Sequence, residues 1–125
     1  MDAAARVAAY FDACNTAPAA EIAACFTPDA TIYDTVVPPV RGARVIAESV
    51  VALRTAWQGG RWSVDSVVAQ GRHAAIEWTL RGRRGGMPAV LRGSEHYRLA
   101  EDGRIEEIRQ YWSDRGTGLN GFGYP

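Results

Sequence analysis

Three polar side chains occupy positions that the surrounding pattern reserves for hydrocarbon: Asp34, Glu95 and Gln110. From Pro88 to Ala100, Leu91, Gly93, Glu95, Tyr97 and Leu99 alternate with Arg92, Ser94, His96 and Arg98. A strand turns successive side chains to opposite faces, so the polar set faces away and Glu95 falls within an apolar row. Ala30, Ile32 and Asp34 alternate in the same manner, as do Ile108, Gln110 and Trp112. An ionised carboxylate buried without a partner is costly, and it raises its pKa and takes up a proton. The chain has no lysine to neutralise these acids, and the arginines of these strands fall on the opposite face. Two acids in one pocket push their titrations apart, leaving one to accept a proton and one to donate.

The walls of such a pocket are expected from the same alternation. Ala74, Ile76, Trp78 and Leu80 share a face, opposed to His73, Ala75, Glu77, Thr79 and Arg81. Ile76, Trp78, Tyr97, Ile108, Gln110 and Trp112, with Trp57 from a helix end, are the expected lining for a small apolar molecule. Each residue also has a plain structural reading. Aromatic side chains fill cores, Asp34 precedes Pro38-Pro39 and suits a turn, and Glu95 could pair with an arginine. His73 and His96 both fall on outward faces, and no third ligand accompanies them, so no metal site is expected. No cofactor is expected either.

The elements that must hold these residues follow from local signals. Val7, Tyr10, Phe11 and Cys14 form a helical stripe within about Asp2 to Asn15, and Asp2 is placed to cap it. Pro18 suits the first turn of a short helix over Ala19 to Cys25, which Thr27-Pro28-Asp29 ends as a turn. A strand over Ala30 to Asp34, then a helix over Ala43 to Trp57 closed by Gly59-Gly60, complete the first half. Four strands follow, near Trp62–Gln70, His73–Arg83, Pro88–Ala100 and Arg104–Ser113, separated at hairpin spacing by glycine-bearing turns. Helices first and an antiparallel meander after predict a single α+β domain over residues 1–125, with helices on one face of a curved sheet. The tail, 114–125, carries Leu119, Phe122 and Tyr124 and is expected to pack against the domain or a second subunit.

Composition bounds the partners. Fourteen basic and fourteen acidic residues cancel in a chain of 125 that is 47% hydrophobic, so no nucleic acid and no anionic membrane surface is expected to attract it. Cys14 and Cys25 fall at apolar positions of expected helices and read as free thiols. With no secretory pattern at Met1–Arg6 and no spanning segment, a cytoplasmic setting is expected.

Three stretches carry a family resemblance: Tyr10-Phe11-Asp12, Phe26 through Asp34, and Asp102-Gly103-Arg104-Ile105 with Tyr111-Trp112. From about Val7 to Trp112 the chain resembles ketosteroid isomerases and SnoaL-like polyketide cyclases of the nuclear transport factor 2-like superfamily. The resemblance implies a cone-shaped α+β barrel, three N-terminal helices packed on a curved, mostly antiparallel sheet. It also implies a cofactor-independent isomerase or cyclase that takes a proton from the carbon next to a carbonyl. Asp34 stands where the family has its general base, and Tyr10 where it has an oxyanion donor. Glu95 stands where the family has a protonated aspartate, so the carboxyl group is kept on a side chain one methylene longer. The same resemblance implies a homodimer through the outer sheet face, where His73, Thr79, His96 and Tyr111 fall. Two other readings accompany it. One is a non-catalytic small-molecule-binding domain, for which the fold is also used. The other is an epoxide hydrolase of the limonene type, whose arginine and aspartate positions hold Ile76 and Trp78 here and whose last-strand acid is Gln110.

Overall fold

Helix α1, Ala3–Thr16, begins where Asp2 accepts hydrogen bonds from the backbone N–H groups of Ala4 (3.0 Å) and Ala5 (3.4 Å). These are two of the donors that a first helical turn leaves unmet. Its expected stripe is the face it buries: Val7, Tyr10, Phe11 and Cys14 are all core residues. The computed structural model describes residues 2–112; the expected packing of the tail and the strand end at Ser113 lie outside the described residues. After α1 come α2 (Ala19–Ala23), β1 (Phe26–Tyr33), β2 (Val40–Arg41), α3 (Ala43–Ala56), β3 (Gln58–Gln70), β4 (His73–Arg84), β5 (Met87–Leu99) and β6 (Ile105–Trp112). Arg54, near the end of α3, donates to the carbonyls of Cys14 and Ala17, both at 2.9 Å, and so ties α3 to the negative end of α1.

The six strands form one open, curved sheet in the order β2-β1-β6-β5-β4-β3, with the helices packed against it. All pairs are antiparallel except β1 with β6, which run parallel. Between β4 and β5 the loop is Gly85-Gly86 alone, with φ of 55° and 80°. Both residues sit in the left-handed region, the geometry that matches a two-residue hairpin to the twist of its strands. The core lies between the helices and the concave sheet face, with Val7, Ile22, Phe26, Ile46, Leu80, Tyr97, Leu99, Ile105 and Ile108 fully enclosed.

The architecture is the cone-like α+β fold expected, and the differences are local. Thr27-Pro28-Asp29 is not a turn but part of β1. Six residues there, Phe26 to Thr31, oppose only Ile105 to Glu107 across β6, and this bulge accommodates a proline that cannot donate to a ladder. Helix α2 stops at Ala23, so Cys25 lies in the turn before β1, where its carbonyl accepts from Ile105 N at 2.8 Å. Gly59-Gly60 does not close α3. Strand β3 begins at Gln58, paired with Arg83, because the β4 partner strand is long enough to carry the ladder that far. The two-residue β2, opposite Thr31 and Ile32, has no signal in the sequence pattern. Asp34 stands one residue beyond the end of β1. No helix among the described residues is long and apolar enough to cross a membrane.

Candidate active site

Cross-strand register gathers the expected residues into rows on the concave face. One row is Ile76, Glu95 and Gln110, successive partners across β4, β5 and β6. The parallel ladder ends at Tyr33 opposite Arg109, so Asp34 arrives beside Gln110 and completes that row. A second row, nearer the C-terminal end of β6, is Trp78, Gly93 and Trp112. A third, on the other side, is Ala74, Tyr97 and Ile108. Period-2 alternation therefore puts both acids, the amide and three aromatic rings on one surface.

Asp34 is a turn-former that also stands at the end of the row that holds Glu95. Its Oδ1 accepts from the backbone N–H groups of Val36 (2.7 Å) and Val37 (3.4 Å), the local bond that aspartate makes in turns. Its Oδ2 accepts from Trp112 Nε1 at 2.9 Å and from the Gln110 amide. Partial burial pushes the carboxyl pKa up, but the donors from Trp112, Gln110, Val36 and Val37 together outweigh it and hold the pKa below the usual value. Asp34 is thus an oriented carboxylate at neutral pH. It borders an open cleft of about 280 Å³, lined also by Tyr33, Thr35, Arg109, Gln110 and Tyr111.

Glu95 has the opposite environment. It is 7% exposed, and no described arginine pairs with it; Arg98 and Arg109, on the outer face, pair with Glu106 and Glu107 instead. Burial lifts its pKa, the hydroxyl of Tyr97 pulls it back, and the charge of Asp34 raises it again, to about 7. Tyr97 donates to Oε1 of Glu95 at 2.6 Å. The sequence reading assigned Tyr97 only a wall; its place two residues along the same face was the signal that it could reach the acid.

The remaining expected residues divide. Ile76 and Ile108, 2% and 1% exposed, are core side chains that flank Glu95 and Tyr97. Tyr10 is buried, edge to face with Phe11, Phe26 and Tyr97, with Cys14 as a neighbour one turn along α1. Burial pushes the Tyr10 and Tyr97 hydroxyls well above the usual tyrosine range and the Cys14 thiol to about 12. Trp57 is buried at the end of α3, with Arg84 over its ring at 5.4 Å. Trp78 packs an edge of its indole over Gly93, where a Cβ would come within 2.3 Å of the ring. The glycine was read as one more member of the row; its missing side chain is what admits the ring. A second cleft, of about 230 Å³, is bounded by Asp65, Glu77, Thr79, Arg81 and Arg92 with Trp78 and Gly93, and contains neither carboxyl of the pair. Among the described residues no three His, Cys, Asp or Glu side chains gather closely enough to hold a metal ion.

The family model described as a SnoaL-like domain matches residues 7–108. No curated protein matches the sequence. Among solved structures, a protein of unknown function with a cystatin-like fold from Methylobium petroleophilum PM1 is 32% identical, with 92% of this chain and 78% of that one covered and a TM-score of 0.75. The epoxide hydrolase/cyclase-like enzyme SalBIII, of pyran ring formation in the polyether salinomycin, is 19% identical, with 89% and 90% covered and a TM-score of 0.78. A hypothetical protein with a ketosteroid isomerase-like fold from Catenulispora acidiphila DSM 44928, in complex with trimethylamine, is 18% identical, with 96% and 97% covered and a TM-score of 0.78. At those last two identities the likeness is one of fold.

Proposed function

The chain belongs to the SnoaL-like domain family, and on that premise we propose that it is a cofactor-independent isomerase or cyclase abstracting a proton next to a carbonyl. The observation that carries this reading is the carboxyl pair. Asp34 and Glu95 stand in one cross-strand row, joined through Gln110, with pKa values displaced in opposite directions. Such a separation assigns the proton acceptor and the proton donor. Asp34, ionised and oriented, takes the α-proton. Glu95, protonated below about pH 7 and steadied by Tyr97 at Oε1, uses its remaining oxygen to donate to the developing enolate. The four donors on Asp34 weaken it as a base, so the reaction depends on the enolate being held from the other side. A preorganised donor in a dry site contributes about 3–4 kcal/mol of that stabilisation. Return of the proton to another carbon gives an isomerisation; attack of the enolate on an internal carbonyl gives a ring closure. Trp112 and Trp78 supply flat walls for an apolar cyclic or polyketide-like ketone.

The test is conjugation of a β,γ-unsaturated ketosteroid, followed by absorbance in native protein and in Asp34→Asn. Turnover by the native protein, reduced at least ~100-fold by the substitution with affinity nearly unchanged, is the expected result. Undiminished turnover in Asp34→Asn removes the base from this scheme. Steroid binding without turnover in the native protein favours a non-catalytic binding domain or a cyclase of another ketone. Gln110 donates its amide to Asp34 where an epoxide hydrolase of the limonene type has an acid, so epoxide opening is not the favoured reading.

For assembly, we propose a second copy on the outer sheet face. His96 and Tyr111 meet there edge to face at 5.9 Å, and Tyr111 is 47% exposed. Sedimentation of native protein and Tyr111→Arg decides it, a dimer in the first and a monomer in the second being expected.

A further inference from the structure

The two tryptophans of the Trp78–Gly93–Trp112 row differ in one respect. Trp112 gives its indole N–H to Asp34, whereas Trp78 Nε1 is buried with no hydrogen-bond partner among the described residues. The whole Trp78 side chain is nearly enclosed, at 5% exposure. An enclosed donor without an acceptor is a standing cost that a phenylalanine at the same place would avoid. Its position is also specific. The indole edge bearing the N–H lies over Gly93, with Nε1 2.9 Å from where a Cβ would be, and Gly93 is two residues from Glu95 on the same face. The strand partner of Gly93 on the far side is Trp112, whose N–H holds the proposed base.

We propose that the Trp78 indole N–H binds the substrate oxygen beside Glu95, so that the site has two donors for one oxyanion. This rests on the enolisation reading above and narrows its substrate class. The ligand is a ketone, or an enolic or phenolic compound, whose oxygen meets the Trp78 N–H at the indole edge, beside Glu95, and whose carbon skeleton is flat. Gly93 is the positioning residue, because any side chain there displaces the indole edge that carries the donor.

Two probes of like shape separate a donor from a wall: 2-naphthol, which has the oxygen, and 2-methylnaphthalene, which does not. Calorimetric titration of each into native protein and Trp78→Phe gives the preference for oxygen in both. The expected result is a preference for 2-naphthol in the native protein that falls about tenfold in Trp78→Phe, with the smaller loss of affinity falling on 2-methylnaphthalene. Equal losses for both probes make Trp78 packing alone and overturn the proposal. An unchanged preference overturns it, as does a native protein that binds neither probe or binds both equally. Should Trp78→Phe not fold, the indole N–H resonance of Trp78 in the native protein serves instead. A downfield move on adding 2-naphthol and none on adding 2-methylnaphthalene supports the bond, and no move with either overturns it. None of these readouts requires turnover, so failure here is distinguishable from failure of the Asp34→Asn assay.

Discussion

Tyr97 donates its hydroxyl to Oε1 of Glu95 at 2.6 Å, and the two residues are next neighbours on one face of β5. That bond favours the ionised form, while burial and the charge of Asp34 favour the protonated one. Removing it in Tyr97→Phe is expected to move the Glu95 pKa above about 7. The alkaline limb of kcat/KM, which falls as Glu95 loses its proton, moves to higher pH with it. Carbon-13 titration of the Glu95 carboxyl checks the first statement and a pH–rate profile the second. An unmoved limb detaches Glu95 from catalysis.

Glu95 also links folding to pH. Its pKa is raised from 4.5 to about 7 in the folded chain, so the native state binds more protons than the unfolded one between those values. The stability this contributes is present in full below the unfolded value and is lost as pH rises through about 7. A shift of that size corresponds to about 3 kcal/mol at the alkaline end. Asp34 acts with the opposite sign, its contribution being lost as pH falls through its lowered pKa. Urea denaturation at pH 5 and pH 8.5 is expected to show the native protein weaker at the higher pH, and Glu95→Gln nearly level. A native protein equally stable at both pH values removes Glu95 as the source.

Gly93→Ala inserts a methyl group 2.3 Å from the Trp78 ring, a separation that neither group can keep. Overpacking of this kind costs about 1–3 kcal/mol. A smaller side chain across the row, in Gly93→Ala with Trp78→Leu, is expected to recover part of that loss, giving a favourable coupling in a double-mutant cycle. Additive losses would mean that the clash is relieved elsewhere.

Tyr10→Phe removes only a buried hydroxyl near Cys14. With the hydroxyl buried there, the expected loss is about 1 kcal/mol of stability and less than tenfold in turnover. A fall in kcat of ~100-fold or more, at unchanged fold, would instead assign Tyr10 to the oxyanion, as the family resemblance implies.

What the sequence disclosed and what it withheld have separate physical causes. Glu95, Gln110 and Asp34 were legible because a strand alternates strictly, and a carboxylate in an apolar series breaks that alternation. The partners of these groups were not legible. That Gln110 and Trp112 donate to the same oxygen of Asp34 depends on β1 lying beside β6, a pairing of residues 76 and 78 positions apart that no local pattern encodes. Tyr10 fell correctly on the buried stripe of α1, but the stripe gives a facing and not the neighbours of the ring, so its edge-to-face contacts with Phe26 and Tyr97 were not legible. Thr27-Pro28-Asp29 has turn composition, yet lies in β1 because a bulge accommodates the proline.

The parallel pairing of β1 with β6 is also the strand pairing most distant along the chain. The strands β3 to β6 are joined by short turns and can zip as successive hairpins, whereas β1 must close a loop of more than seventy residues to reach β6. A ribosome-bound chain that has not yet released Trp112 contains Asp34 and Glu95 but cannot place them in one row. The placement of the two carboxyls in one row therefore depends on that long-range contact and not on the packing of the helices. Slowing that one closure is expected to delay the proposed activity behind the regain of helical circular dichroism.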